Sequence, residues 1–253
     1  MTDARSKTSF MYSLANPARF NALTSLLLPW IAGAAALALV FGQYLAWAAS
    51  PADYQQGETV RIMYIHVPAA WFSLGTWTFM TMAALGTLVW RHPLADVAQK
   101  AAAPIGAAFT AVCLLTGAFW GRPMWGAWWV WDARLTSVLV LFLMYLGVMA
   151  LWRAIEDQGQ AARAAAVLTL AGFINIPIVK FSVDWWNTLH QPASVLRLGG
   201  PAIHPSMLWP LMIMALAFAL IFAALLMLRM RTELMRRRIA RLMLSVSQET
   251  AAA

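Results

Sequence analysis

Six stretches of this chain are each apolar for about the length of a membrane crossing: Leu26–Ala49, Pro68–Trp90, Ala101–Phe119, Leu135–Trp152, Ala164–Val183 and Pro205–Leu228. A helix needs about 20 mainly apolar residues to cross the hydrocarbon of a bilayer. The six runs consume most of the 253 residues and leave only short connections, with no room for a soluble domain. The expected fold is therefore all-α: an integral membrane protein with six transmembrane helices, forming a single membrane domain over residues 1–253. Composition agrees, since 11% of residues are charged, less than half of the roughly 25% usual in soluble proteins. The opening residues, MTDARSKTSFMYSLANPARF, do not read as a cleaved signal, because the first apolar run is of full span length.

The net charge of +8 does not imply nucleic acid, because the basic residues gather at helix ends and in the tail. They sort by side. Arg5, Lys7, Arg19, Arg91, Lys100, Arg153, Arg163, Arg229, Arg231, Arg236, Arg237, Arg238 and Arg241 share one side of a six-span chain. Arg61, Arg122, Arg134 and Arg197 fall on the other, with Lys180 near the end of span five. The positive-inside rule then puts both termini in the cytoplasm. The outward segments become Ser50–Val67, Trp120–Arg134 and Asp184–His204. Residues 229–253 read as a cytoplasmic basic tail, able to continue span six as an amphipathic helix and to touch anionic lipid. The single cysteine, Cys113, lies inside the third run and reads as a packing residue.

The outward segment 120–132, WGRPMWGAWWVWD, holds five tryptophans. Trp125, Trp128, Trp129 and Asp132 have i, i+3, i+4, i+7 spacing, and Pro123 suits a first helical turn, so a short external helix lying along the surface is expected here. A few tryptophans suffice for an interfacial belt. Five also make a surface on which a large planar ligand can stack, and the residues weigh the two readings about equally. Arg122 and Arg134 flank the segment as candidate contacts for ligand carboxylates such as propionates, or as markers of the headgroup boundary. Asp132 can orient the segment by accepting hydrogen bonds.

Two histidines share this side. His66 precedes Pro68, which suits a first helical turn and would set the imidazole just above the helix start. His190 lies in WWNTLHQP, at similar depth. Imidazoles bind haem iron, and two can do so from opposite faces. Either histidine alone is more simply an interfacial hydrogen-bonding residue, but the pair beside an aromatic cluster tips the balance toward ligation. His92 reads as a polar corner residue, and His204 precedes the last span. There is no Walker-type phosphate loop and no Ser/His/Asp order or catalytic carboxylate pair. Few charges lie inside the runs, which argues against a proton-coupled transporter.

The tryptophan segment, running on into ARLTSVLVLFLMYLG, resembles the WWD signature of haem-handling proteins of cytochrome c maturation. YIHVPAAW and WWNTLHQP resemble the two histidine-bearing outer segments of one branch, the haem exporter protein C (CcmC) family. The likeness runs from about Arg61 to Gln191, and 196–204 matches no family pattern. It implies a multi-pass protein of the bacterial inner membrane that binds haem b at its periplasmic face and passes it to a haem chaperone, CcmE. It implies work beside an ATP-binding cassette complex, CcmA with CcmB, and a small membrane protein, CcmD. Carried over, His66 and His190 are the axial ligands of the haem iron, and Trp120, Trp125, Trp128, Trp129, Trp131 and Asp132 form the WWD platform. Such a protein is not an enzyme in the usual sense, although its surface can assist linkage of haem to the chaperone. The rival classes are a b-type haem or quinol-handling oxidoreductase subunit, disfavoured because no histidine is mid-span, and a structural transporter subunit with the tryptophans as belt.

Overall fold

Asn16 starts the first helix. Its side chain accepts a hydrogen bond from the Ala18 N–H at 2.8 Å, and Pro17 takes the first helical position, where a missing N–H costs nothing. The structure, a computed structural model, describes residues 16–252. Arg5, Lys7 and most of the opening segment read as uncleaved lie outside the described residues. Helix α1 (Pro17–Tyr44) ends in a π-helical turn, Leu45–Ala49. A 3₁₀ turn, Glu58–Ile62, leads into α2 (Met63–Leu88). Then come α3 (Ala95–Trp125), α4 (Ala133–Ala154), α5 (Gln158–Gly172), α6 (Asn175–Trp185) and α7 (Pro205–Ala252).

Five helical stretches are long and apolar enough to cross a membrane: Pro17–Ala49, Ala95–Trp125, Ala133–Ala154, Gln158–Trp185 and Pro205–Thr250. The expected count was six. The missing one is α2, which spans 26 residues without a charged side chain but is diluted by Ser73, Gly75, Thr76, Thr78, Thr81, Gly86 and Thr87. Those polar groups explain where α2 sits. It is the hub, packed most extensively on α3 and also on α5 and α7, with Ser73, Thr76 and Thr81 buried. Hydrogen bonds there join helix to helix: Tyr145 Oη donates to the Ser73 carbonyl at 2.7 Å, and Trp77 Nε1 donates to the Thr169 carbonyl at 3.1 Å. Each such bond spares a polar group an unpaired burial, which costs several times what the bond itself contributes.

One further boundary differs from expectation. The run Ala164–Val183 is not one helix, since α5 ends at Gly172 and α6 begins at Asn175. Pro177, third in α6, has no N–H for the Phe173 carbonyl, so an unbroken ladder is impossible there. The last helix, by contrast, runs unbroken for 48 residues. At 1.5 Å per residue that is about 72 Å, more than twice the hydrocarbon thickness. Its lower half docks on α3. Lys100 Nζ and Glu233 Oε1 are 2.7 Å apart, Arg237 pairs with Asp96 at 2.6 Å and with Glu233 at 3.0 Å, and Arg229 Nε donates to the Ala101 carbonyl at 3.1 Å. The basic tail is thus partly a packed element.

Candidate functional site

The three segments expected to face outward meet at one end of the bundle. Trp120, on the last turns of α3, donates from Nε1 to Gln56 Oε1 at 2.8 Å and so binds the 50–62 connection. His66 and His190 bring the third connection in, with ring centroids 6.4 Å apart and planes 33° apart. Trp120 meets the His66 ring edge-on at 5.6 Å, and Trp125 lies 6.2 Å from the His190 ring.

His66 does not stand above its helix as expected. Helix α2 begins at Met63, so His66 is in its first turn and Pro68 lies further in. The earlier start has a cause. Arg61 Nη1 donates to the Ala46 carbonyl and, at 3.1 Å, to the Ser50 carbonyl, which draws the 3₁₀ turn onto the end of α1 and feeds α2 from Met63. His66 is consequently buried, at 9% exposure. Its Nδ1 is 3.1 Å from Thr116 Oγ1 on α3. Gly117 makes room for the ring, since a Cβ there would lie 3.0 Å from His66 Cε1.

His190 is half-buried in the irregular stretch after α6. Its backbone N–H donates to Thr188 Oγ1 at 2.9 Å. Its Nδ1 is 3.0 Å from the Gln191 carbonyl, which can only accept, so Nδ1 carries the proton and Nε2 keeps its lone pair. Burial lowers the pKa of this imidazole, with the Arg134 charge adding to the effect and the Gln191 carbonyl and Asp132 opposing it. It is thus held neutral, the form that ligates metals.

The surface-lying helix expected over the tryptophan segment does not form. Helix α3 runs straight on to Trp125, with Pro123 inside it, and Gly126 ends it at φ 74° in the left-handed region that glycine enters cheaply. Arg122 Nη1 donates to the Gly126 carbonyl, so this candidate propionate contact caps its own helix. Residues 127–132 are non-helical, and Asp132 caps α4 by accepting the Leu135 N–H at 2.7 Å. The i, i+3, i+4, i+7 face from Trp125 to Asp132 is therefore not made. Instead the indoles divide. Trp120 and Trp125 turn toward the histidines. Trp128 leans edge-on against Phe119 at 5.8 Å and is 55% exposed, and Trp131, 75% exposed, packs edge-on with Trp129 at 5.4 Å. Trp129 Nε1 and Asp132 Oδ2 are buried with no hydrogen-bond partner among the described residues, and buried polar atoms are normally paired.

Arg134, the other candidate propionate contact, donates from Nε to Ser182 Oγ at 2.8 Å and from Nη2 to the Lys180 carbonyl at 3.3 Å, fastening α4 to α6. His92 sits at the opposite end of α2, its Nδ1 accepting the Leu94 N–H at 3.2 Å in the corner before α3. His204 heads α7, where its carbonyl accepts from Met207 and Leu208 and its Nδ1 from the Ser206 N–H at 3.3 Å. Thr116, Gly117, Gln56 and Ser182 were not singled out in the sequence. The only signal was that Thr116 lies one helical turn before Trp120, on the same face.

An imidazole pair with aromatic walls can grip a metal and shelter an apolar ring system. A metal–imidazole bond is about 2 Å long, so a metal held from both sides sets two ring centres about 6 Å apart, close to the spacing here. The family model of heme exporter protein C matches residues 10–245. The chain is 65% identical over 229 residues to heme exporter protein C of Bradyrhizobium diazoefficiens, covering 90% of this chain and 87% of the relative. It is 47% identical over 221 residues to heme exporter protein C of Escherichia coli (strain K12), covering 87% and 89%. With the protein of that name from Paracoccus denitrificans it is 44% identical over 235 residues, covering 92% and 97%.

Proposed function

The chain belongs to the heme exporter protein C family, and from that premise we propose that it binds haem b at the outer end of its helix bundle and passes it to the chaperone CcmE during cytochrome c maturation. His66 and His190 are the axial ligands. Trp120 and Trp125 cover the macrocycle nearest the iron, and the exposed Trp128 and Trp131, with Trp129, extend the apolar surface outward. Arg122 and Arg134 stand at the rim for the propionates, and Asp132 holds the segment in place. The observation that carries this reading is the approach of two imidazoles from separate elements to 6.4 Å, each beside an indole of the tryptophan segment.

The geometry also suits delivery. One histidine is rooted in a helix and the other in an irregular connection, so the second can withdraw without disturbing the bundle. Indoles at the surface shelter a cargo that must leave, whereas a site deep among the helices would retain it. The work is carriage, with the chemistry of iron belonging to the cargo and any assistance to chaperone linkage coming from how the cargo is presented. Helix α2 serves as the sixth span, its polar groups covered by its neighbours, and both termini lie in the cytoplasm of an inner-membrane protein. CcmA, CcmB and CcmD are the partners, and the basic tail beyond Arg241 faces lipid headgroups.

Purified protein, loaded with haem, should show a low-spin spectrum with two axial nitrogens. His66→Ala and His190→Ala should each convert it to an open-coordination spectrum and stop transfer to the chaperone. His92→Ala, altered at the other end of α2, should do neither. Parental spectra and parental chaperone loading in both outer variants would defeat the ligand assignment.

A further inference from the structure

Thr116 stands apart from the tryptophans and histidines on which the proposed function rests, yet its hydroxyl is the side-chain hydrogen-bond partner of the buried His66 ring among the described residues, with the Cys113 carbonyl the backbone acceptor beside it. Its hydroxyl has one proton to give. That proton is already placed, because Thr116 Oγ1 lies 2.6 Å from the Val112 carbonyl one turn back in α3, a shorter contact than the 3.1 Å to His66 Nδ1. A carbonyl can only accept, so the hydroxyl donates to Val112 and offers its lone pair to the imidazole. His66 Nδ1 must then carry the ring proton, which leaves Nε2 as the free nitrogen. Gly117 sets the distance, since any Cβ there would press on the ring at 3.0 Å from Cε1 and push it off the hydroxyl.

We infer that Thr116 is a positioning residue: it locks His66 in the Nδ1–H tautomer and aims Nε2 at the haem iron. The inference rests on the proposed role of His66 as a ligand. It gives the two histidines a common design, each donating Nδ1–H to an oxygen acceptor, but with acceptors of different origin. His190 uses the adjacent Gln191 carbonyl and travels with it. His66 uses a side chain on another helix, so its orientation depends on how α2 and α3 pack. Outer-sphere acceptors of this kind typically change metal affinity by about 10–100-fold when removed.

The test reads the tautomer directly. Nitrogen–proton correlation spectra of the histidine side chains are recorded on the haem-free protein, on Thr116→Val and on Thr116→Ser, with His66 identified from the signal lost in His66→Ala. The parent and Thr116→Ser should carry the His66 proton on Nδ1, and Thr116→Val should shift it toward Nε2. Thr116→Val should also release haem about 10-fold more readily, while its helical content and thermal midpoint stay near parental and Thr116→Ser retains haem normally. A parent ring protonated on Nε2, or a Thr116→Val protein with unchanged tautomer and unchanged haem release, overturns the inference. If Thr116→Val shifts the tautomer but His66→Ala leaves the haem spectrum intact, the lock stands and the ligand role of His66 fails.

Discussion

His66 and His190 come to the same place with unequal freedom. His66 is in a helical turn, buried among Thr116, Gly117 and Trp120. His190 is half-buried and held by neighbours in its own connection. The indoles are unequal as well. Trp120 and Trp125 face the imidazoles, while Trp128 and Trp131 are mostly exposed. This ranks the tryptophans in a way that spacing along a helix did not. Trp120→Ala combined with Trp125→Ala should shorten haem retention strongly, since each aromatic contact contributes about 0.5–1.5 kcal/mol beyond area burial, or roughly 5- to 150-fold for the pair. Trp128→Ala with Trp131→Ala should act more weakly on retention. The two double variants are compared by the rate at which a haem-scavenging globin strips the cargo. Equal rates would mean that all the indoles act as one undifferentiated belt.

At the level of elements, the tryptophan segment is best understood through what ends α3 and what starts α4. Gly126 at φ 74° stops one helix, and the Asp132 side chain starts the next. That capping role makes Asp132 separable from a ligand contact. Asp132→Ala should lower the thermal midpoint by the equivalent of about 1 kcal/mol, while Asp132→Asn, which can still accept from the Leu135 N–H, should stay close to parental in both stability and haem retention. Loss of haem in Asp132→Asn at full stability would show that the carboxylate charge faces the cargo. The same segment shows where the sequence could be read and where it could not. Five of the apolar runs were legible, because run length follows from membrane thickness. The position of Trp120–Asp132 at the junction of two apolar helices was legible from the same pattern. The spacing of Trp125, Trp128, Trp129 and Asp132 matched a helical face, but periodicity is blind to a single glycine entering the left-handed region. Pro177 was visible in the fifth run, yet hydropathy does not register a broken hydrogen-bond ladder. Thr116 was illegible, because its partner is 50 residues away and a threonine facing its own helix backbone looks the same from sequence.

On the scale of the whole molecule, the two ends of the bundle differ in chemistry. One end gathers His66, His190 and the tryptophan segment. The other gathers Asp96, Lys100, Glu233 and Arg237, an ion-pair network that fastens the extended α7 to the start of α3, with Lys100 also 4.8 Å over the Trp152 ring. A chain polarised in this way can act vectorially only if the ends face different compartments, and the proposed orientation, argued from the arginine and lysine distribution, has the ion-pair end in the cytoplasm. The assignment is tested with single cysteines in a Cys113→Ala background, since Cys113 is buried and its replacement removes any slow background reaction. Ala127→Cys, in the non-helical stretch between α3 and α4, should react with an impermeant maleimide added to intact spheroplasts. Ala240→Cys, on the exposed part of the tail helix, should react only after the membrane is opened. If Ala240→Cys labels from outside and Ala127→Cys does not, the orientation is inverted, and with it the delivery of haem toward a chaperone on the outer face.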